Sequence, residues 1–194
     1  MKILDYILKL FNGDSSSCKV EEKAPLQEIK QDLPKEFIMQ NQITKNFTLA
    51  ELTYSDTAKS KGIKNMPTEE EYKNMVILCE KVLQPIRDTL GKPVKINSCY
   101  RGKQLNEAVG GAKTSQHCSG QAADIEIMGM SNYDLAVWIR DNLDFDQLIL
   151  EYATNLSADI NSGWVHVSYK VNGNRHQCLT IKSAKSGYKV GLIK

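Results

Sequence analysis

The stretch Ser115-Gln-His-Cys-Ser-Gly-Gln-Ala-Ala-Asp124, together with the later Trp164-Val-His166, indicates both the fold and the chemistry of this chain. His117, Asp124 and His166 supply two imidazoles and one carboxylate. Such a set leaves a fourth position free on a catalytic zinc ion. Bound Zn²⁺ lowers the pKa of water to about 7 and polarises a carbonyl group. The three residues therefore predict a zinc site at which an amide is hydrolysed.

The surroundings of His117 favour a metal site, although an isolated His is more often a core or surface residue. The approach along residues 110–120 is rich in Gly and Ser, a short apolar strand follows, and His166 lies on another predicted strand. Loops that are held by rigid strands often carry binding residues. Cys118, beside His117, is an alternative ligand in its thiolate form.

Composition and charge are those of an ordinary globular protein. The 194 residues are 41% hydrophobic and 25% charged, and the net charge of +2 predicts no nucleic-acid partner. The length fits one domain with an extension, or two small domains. The five cysteines are scattered and odd in number, which predicts reduced thiols rather than a disulfide framework.

The N-terminal part is predicted to be separate from the zinc domain. Residues 1–11 form an amphipathic helix, residues 12–42 form a polar linker, and residues 43–194 form the zinc domain. The helix docks on a protein partner, lies on a membrane surface, or frays. Charged residues interrupt any signal-peptide core, and Ser17-Cys18 is a poor lipoprotein cleavage site.

Helix and strand signals alternate along residues 43–194. Capping boxes that begin at Thr48 and Thr68 start two helices, and Pro85 kinks the second helix or starts a new turn. A strand then leads to Arg101, and another helix spans residues 131–142.

Three later strands place polar side chains on one face, because successive side chains of a strand point to opposite faces. Among them is Glu151, whose apolar neighbours raise the pKa of a carboxyl group towards that of a general base. The side chains that share a face are Ala122, Asp124 and Glu126, then Gln147, Ile149 and Glu151, then Trp164, His166 and Ser168.

The dipeptide Asn172-Gly173 predicts a two-residue β-hairpin. In that hairpin Tyr169 pairs with His176, so His176 faces away from His166 and is structural rather than a ligand. A slip of one residue in the register would reverse this conclusion.

From about Phe47 to Tyr188, the chain resembles the family of zinc D-alanyl-D-alanine carboxypeptidases and murein endopeptidases, which includes bacterial wall-remodelling enzymes and phage lysins. The stretches that carry the resemblance are Phe47-Thr-Leu-Ala-Glu-Leu52, Leu83-Gln-Pro-Ile-Arg87, Ser98-Cys-Tyr-Arg101, Asn106 with Val109-Gly-Gly111, Ser115-Gln-His117, Gly120-Gln-Ala-Ala-Asp124 and Trp164-Val-His-Val-Ser168.

The resemblance implies an α+β fold of the hedgehog/DD-peptidase type, with a small, mostly antiparallel sheet and flanking helices. It also implies that His117, Asp124 and His166 bind zinc. Arg101 would hold a substrate carboxylate, for which a guanidinium fork is suited, or would form a structural salt bridge. Ser115 would donate a hydrogen bond to the substrate peptide, or would cap the loop.

The chain departs from the family pattern at the general base. Several relatives place a catalytic Glu three residues before the second ligand His, a position that Gly163 occupies here. Glu151 is the predicted substitute, with Asp146 and Glu126 as weaker candidates. Alternatively, Glu151 only orients a ligand His as a hydrogen-bond acceptor.

The expected function is therefore zinc-dependent hydrolysis of peptide bonds in peptidoglycan stem peptides, by a carboxypeptidase or an endopeptidase. The alternative is a non-catalytic module that zinc stabilises, such as a virion component. Because no signal peptide is convincing, we expect cytoplasmic synthesis and a phage-encoded or virion-associated protein, or else a wall-remodelling enzyme.

Overall fold

Six β-strands form one sheet in the computed structural model, which describes residues 37–154 and 159–194. The order across the sheet is β1-β2-β4-β3-β5-β6, and every pair is antiparallel except β3 with β5. The predicted α+β class with a mostly antiparallel sheet is confirmed. The strands are β1 Val94–Ser98, β2 Ala122–Ile127, β3 Gln147–Glu151, β4 Trp164–Ser168, β5 Gln177–Ile181 and β6 Lys189–Val190.

Side-chain caps mark the N-termini of four of the six helices in the described residues. Thr48 and Thr68 accept hydrogen bonds from the backbone N–H groups of Glu51 and Glu71, and a complete capping box forms at Thr68. Pro85 is accommodated by a π-helical turn, Cys79–Leu83, rather than by a break. The helices are α1 Leu49–Thr53, α2 Asp56–Lys61, α3 Glu69–Leu78, α4 Gln84–Leu90, α5 Lys103–Ala108 and α6 Asn132–Asn142, and Gln116–Ser119 is a 3₁₀ turn.

The hydrophobic core lies on one face of the sheet. Ile125 of β2, Val165 of β4 and Leu150 of β3 are buried there against Leu83 and Ile139 of the helical layer. The opposite face carries the predicted site residues, so the predicted alternation in β2, β3 and β4 is confirmed. None of the helices in residues 37–154 and 159–194 has the length and apolar character needed to cross a membrane.

The N-terminal helix predicted for residues 1–11 lies outside the described residues, as does most of the linker at 12–42. The three segment boundaries therefore stay predictions. The residues from Phe37 to Lys194 form one compact unit.

The predicted hairpin at Asn172-Gly173 is wrong. β4 is flanked by β2 and β3, so neither of its edges is free for β5, which pairs in parallel with β3 instead. The intervening segment closes through the side chain of Asn174, which accepts a hydrogen bond from the backbone N–H of Lys170 at 2.9 Å. The Asn172-Gly173 turn signal correctly predicted that the chain reverses direction between β4 and β5, but it did not predict which strands pair.

His176 lies outside the predicted site. Its Nε2 atom is 2.9 Å from an oxygen of Asp144, and its ring packs edge-on against Phe145. The structural role predicted for His176 therefore agrees with its position, although the register that supported that prediction was wrong.

Asp146 joins the start of β3 to three other parts of the chain. Its side chain is fully buried and accepts hydrogen bonds from Arg175 at 2.6 and 2.8 Å and from Gln116 at 2.8 Å. Lys170 Nζ lies 3.4 Å away. Burial raises the pKa of Asp146, but the bonds from Arg175 and Gln116 outweigh this effect and lower the pKa to about 2. The carboxylate thus fixes the residue that precedes His117.

We expect Asp146→Asn to destabilise the domain by about 1–2 kcal/mol at pH 7, since charge-assisted hydrogen bonds are lost while half-exposed Arg175 regains water. The folded-state pKa lies below the ordinary value, so this stabilisation is complete above about pH 5 and disappears as the pH falls towards 2. Urea unfolding of both proteins between pH 7 and 3 measures the difference.

Asp141→Asn is the matched control, because Asp141 forms an exposed ion pair with Arg140. That substitution should change stability little at any pH. A stability difference at Asp146 that stays constant down to pH 3 would contradict the assigned ion pairs.

Candidate metal centre

Three side-chain atoms converge on the polar face of the sheet. His117 Nε2 lies 3.2 Å from Asp124 Oδ1, and His166 Nδ1 lies 3.0 Å from the same oxygen. The two imidazole nitrogens are 3.2 Å apart. The structure therefore brings together the three predicted ligands, all of them buried.

The donor set fits a zinc ion. Ligands at about 2.0–2.1 Å in a tetrahedral arrangement are separated from one another by about 3.3 Å, close to the distances found here. Two imidazoles and a carboxylate occupy three positions and leave a fourth open, which is the pattern of catalytic rather than structural zinc sites.

The protonation states also suit a cation. Burial lowers the pKa of His117, which favours the neutral imidazole that a metal requires. Burial raises the pKa of Asp124, but the neighbouring His117 and His166 outweigh this effect and hold the pKa well below its usual range. The site thus offers one carboxylate and a neutral imidazole at neutral pH.

His117 is oriented by the backbone at the end of β1. Its Nδ1–H donates to the carbonyl oxygen of Cys99 at 2.6 Å, so Nε2 carries the lone pair that faces Asp124. Gly120 ends the 3₁₀ turn in the left-handed conformation, where a Cβ atom would approach the carbonyl oxygen of Glu71 to 2.3 Å. Only a glycine fits that approach of the loop to α3.

Arg101 lies beside the metal centre. One terminal nitrogen of its guanidinium is 3.7 Å from Asp124 Oδ2, a distance too long for a strong ion pair. Its buried Nε has no hydrogen-bond partner within the described part of the chain. The group therefore retains donor capacity for an anion from outside the protein.

Ser115 precedes the 3₁₀ turn and is half-buried. Its side chain makes no capping hydrogen bond, which removes the capping role from the two alternatives that the sequence left open. Contact of its hydroxyl with a substrate stays a prediction.

Glu151 lies on the same face as the three ligands. In β3 it stands two residues after Ile149, and Ile149 is paired with His166. Glu151 is therefore a diagonal neighbour of that predicted ligand. Burial raises the pKa of Glu151, and the charge of Asp124 raises it further, whereas His166, Arg101 and Trp164 lower it in part. A raised pKa makes this carboxylate a stronger base, which suits a group that accepts a proton.

The two weaker candidates for the base are engaged elsewhere. The carboxylate of Glu126 accepts from Asn97 and lies 3.4 Å from Lys95 Nζ at the edge of the sheet. Asp146 is held by Arg175. Cys118 does not belong to the cluster of converging ligand atoms, and the four cysteines in the described residues are all free.

Gly163 cannot carry the side chain that several relatives have at this position. Its φ angle is 74°, and a Cβ atom would lie 1.9 Å from the carbonyl oxygen of Glu151. The backbone of β3 thus occupies the space that a Glu at position 163 would need.

Two contributions at this site were missed by reasoning from the sequence alone. The carbonyl of Cys99 orients His117, but a backbone acceptor leaves no side-chain signal. Trp164 stands opposite Glu151, and its buried indole nitrogen lowers the pKa of that carboxyl group in part. The alternation of side chains along the strand predicted that Trp164 lies on this face. Its pairing with Glu151 became known only from the strand register in the structure.

We expect wild-type protein to bind one zinc ion and His117→Ala to lose most of that affinity, since one of three ligands is removed. His176→Ala is the matched control, because His176 lies outside the cluster, and it should bind zinc as the wild type does. Equilibrium dialysis with elemental analysis measures the stoichiometry. Equal zinc binding by both variants would contradict the assigned ligand.

We expect Gly163→Ala to cost about 2 kcal/mol or more of folding stability, because it combines left-handed strain with a backbone clash. Gly173→Ala is the control, because its φ of +79° is similar but no described atom lies within 4 Å of the added Cβ. It should cost only the strain. Equal costs in urea unfolding would show that the approach of Glu151 to Gly163 is not as described.

Comparison with known proteins agrees with this geometry. The sequence model of the peptidase M15 family matches residues 45–168, which include all three ligand residues, Arg101, Ser115 and Glu151. A zinc D-Ala-D-Ala carboxypeptidase from Streptomyces albus G is 37% identical over 81 residues, which cover 41% of this chain and 31% of that protein. The chain thus matches about a third of the length of this relative. With the family model matching well over half of its length, the chain belongs to the peptidase M15 family.

Proposed function

We propose that this chain is a zinc metallopeptidase that hydrolyses peptide bonds in the stem peptides of peptidoglycan. The observation that carries the proposal is the convergence of His117 Nε2, Asp124 Oδ1 and His166 Nδ1 within 3.2 Å of one another, near the carboxyl group of Glu151. Membership of the M15 peptidases and the name of the Streptomyces relative support the metal and the substrate class.

His117, Asp124 and His166 would hold the zinc ion. When bound, zinc supplies a Lewis acid that polarises the carbonyl of the scissile amide and makes water more acidic. The remaining chemistry requires a group that moves a proton and a group that fixes the substrate.

Glu151 is the group that moves the proton. Its carboxylate takes a proton from water as the water oxygen bonds to the amide carbon, and it delivers this proton to the nitrogen when the C–N bond breaks. The products are one new carboxylate and one new amine. The raised pKa of Glu151 supports this role, because a stronger base accepts the proton more readily.

Arg101 is the group that fixes the substrate. Its Nε–H, which has no partner among the described residues, and its terminal nitrogens form a fork that suits a carboxylate of the stem peptide. Ser115, at the start of the turn that carries His117, supplies a hydroxyl that can donate to the substrate backbone. Positioning of this kind accounts for a large part of enzymatic rate enhancement.

A non-catalytic zinc module is the second candidate. The observation that favours it is Gly163, which stands where several relatives carry the catalytic Glu. The two candidates differ in the role of Glu151, which a module of that kind does not need. Phage or host origin, cytoplasmic synthesis and docking through residues 1–11 stay predictions.

We expect Glu151→Gln to lower kcat by about 10²–10⁴-fold, the usual contribution of a general base, without loss of zinc or of folding stability. Release of peptide fragments from purified muropeptides, followed by chromatography and mass spectrometry, measures the rate. Zinc content and the unfolding midpoint are recorded on the same samples.

Glu126→Gln is the matched control, since Glu126 lies on the same face of the sheet and is already bonded to Asn97. It should retain most of the activity. Loss of activity in Glu126→Gln alone would move the base to that residue. Wild-type protein that binds zinc but cleaves no muropeptide between pH 5 and 9 would favour the non-catalytic module.

A further inference from the structure

A cleft of about 440 Å³ begins beside the metal centre and runs along the outer edge of β1. Residues 54–57, which run from the end of α1 into the first turn of α2, form one wall, and residues 95–98 of β1 form the other. Arg101 and Val109 complete the lining. The volume falls within the roughly 300–1,000 Å³ of pockets that bury small ligands.

The cleft and the metal centre meet at two residues. Ser98, at the end of β1, is paired with Asp124, and Arg101 lines the cleft while its guanidinium lies 3.7 Å from that ligand. A β-bulge between Ile96 and Ser98 interrupts the pairing at this point. A carboxylate held by Arg101 would therefore lie at the inner end of the cleft.

The wall formed by β1 is suited to an extended peptide. β1 is an outer strand of the sheet in the described part of the chain, so one side of its backbone is available for pairing. From Ser98 to Lys95 the strand extends about 10 Å, which is the length of three extended residues. The lining mixes cationic Lys95, polar Asn97 and apolar Val109, as the alternating side chains of a peptide require.

The cleft distinguishes two kinds of substrate. A carboxypeptidase binds the terminal carboxylate of its substrate, so no substrate chain continues past the residue that holds this group. Here open space continues beyond Arg101 along β1. That space would stay empty if Arg101 held a terminal carboxylate, whereas a peptide with an internal carboxylate would fill it.

Building on the proposed function, we infer that the chain is an endopeptidase whose substrate continues from Arg101 along β1 for about three residues. Arg101 then holds a carboxylate within the stem peptide, and residues 54–57 and 95–98 bind the chain beyond it. The bond that is cleaved is internal, and the cleft determines which peptides are accepted.

Two substrates test this inference on the zinc-loaded protein. The first is a diacetyl-lysyl-D-Ala-D-Ala peptide, whose chain ends at its carboxylate. The second is a cross-linked muropeptide dimer, whose chain continues on both sides of its internal amides. We expect a higher kcat/KM for the dimer, with cleavage at an internal bond identified by mass spectrometry.

Thr57→Trp narrows the cleft from the α2 side. We expect it to raise KM for the dimer about tenfold or more and to leave cleavage of the short peptide unchanged. Val109→Trp narrows the same cleft at another lining residue and replaces Thr57→Trp if that variant folds poorly. Thr89→Trp is the matched control, since Thr89 is an exposed helical residue outside the lining.

A binding measurement separates this inference from the proposed function. With metal-free ¹⁵N-labelled protein, the uncleaved dimer should shift the amide signals of residues 95–98, and Thr57→Trp should abolish these shifts. The inference would be overturned if the protein released only D-Ala and if Thr57→Trp had the same KM and the same amide shifts as the wild type. The proposed peptidase activity would still stand in that case. Amide shifts without cleavage of either substrate would support the cleft and overturn the peptidase.

Discussion

The pairing of Asp124 with His166 is the constraint on which the site depends. The two residues face each other across β2 and β4, where antiparallel register brings opposite side chains to about 4.5–5.5 Å at Cβ. No flexible loop has to position either ligand, and a slip of one residue would turn both into the hydrophobic core. The third ligand, His117, then needs only to be brought above this pair. The segment between β1 and β2 does so with one backbone carbonyl and one close glycine contact at Gly120.

Burying these three groups together costs folding free energy, and interactions of neighbouring residues offset part of that cost. A buried carboxylate and two buried imidazoles lose hydration, and each needs a partner to remain in the interior. Asp146 provides part of the support, because its buried charge holds Gln116 next to His117 and holds Arg175 beyond β4. The same carboxylate therefore links folding stability to the orientation of the metal centre, although it takes no part in the proposed chemistry.

Sequence patterns predicted the features that depend on neighbouring residues, such as strand alternation and helix caps. Strand order was decided by pairing between distant segments. Alternation placed Asp124, Glu151 and His166 on one face, since a period of two is a property of each strand alone. The helix caps at Thr48 and Thr68 were visible for the same reason, although of the two positions only Thr68 forms a complete capping box. Strand order had no local signal. A turn at Asn172-Gly173 favours a hairpin, but β4 was already paired on both sides and β5 joined β3. The cleft beside Arg101 was likewise not predicted, because it arises from the edge position of β1 and its distance from α2.

The register of β3 against β4 also bears on which position can carry an acidic side chain near the predicted metal site. Glu151 is paired with Trp164, the residue that follows Gly163, so positions 151 and 163 lie close together across two strands. The carbonyl oxygen of Glu151 lies so close to Gly163 that a Cβ atom at 163 would force β3 away. The backbone therefore accommodates an acidic side chain at 151, the position of the proposed proton acceptor, and leaves no room for one at 163.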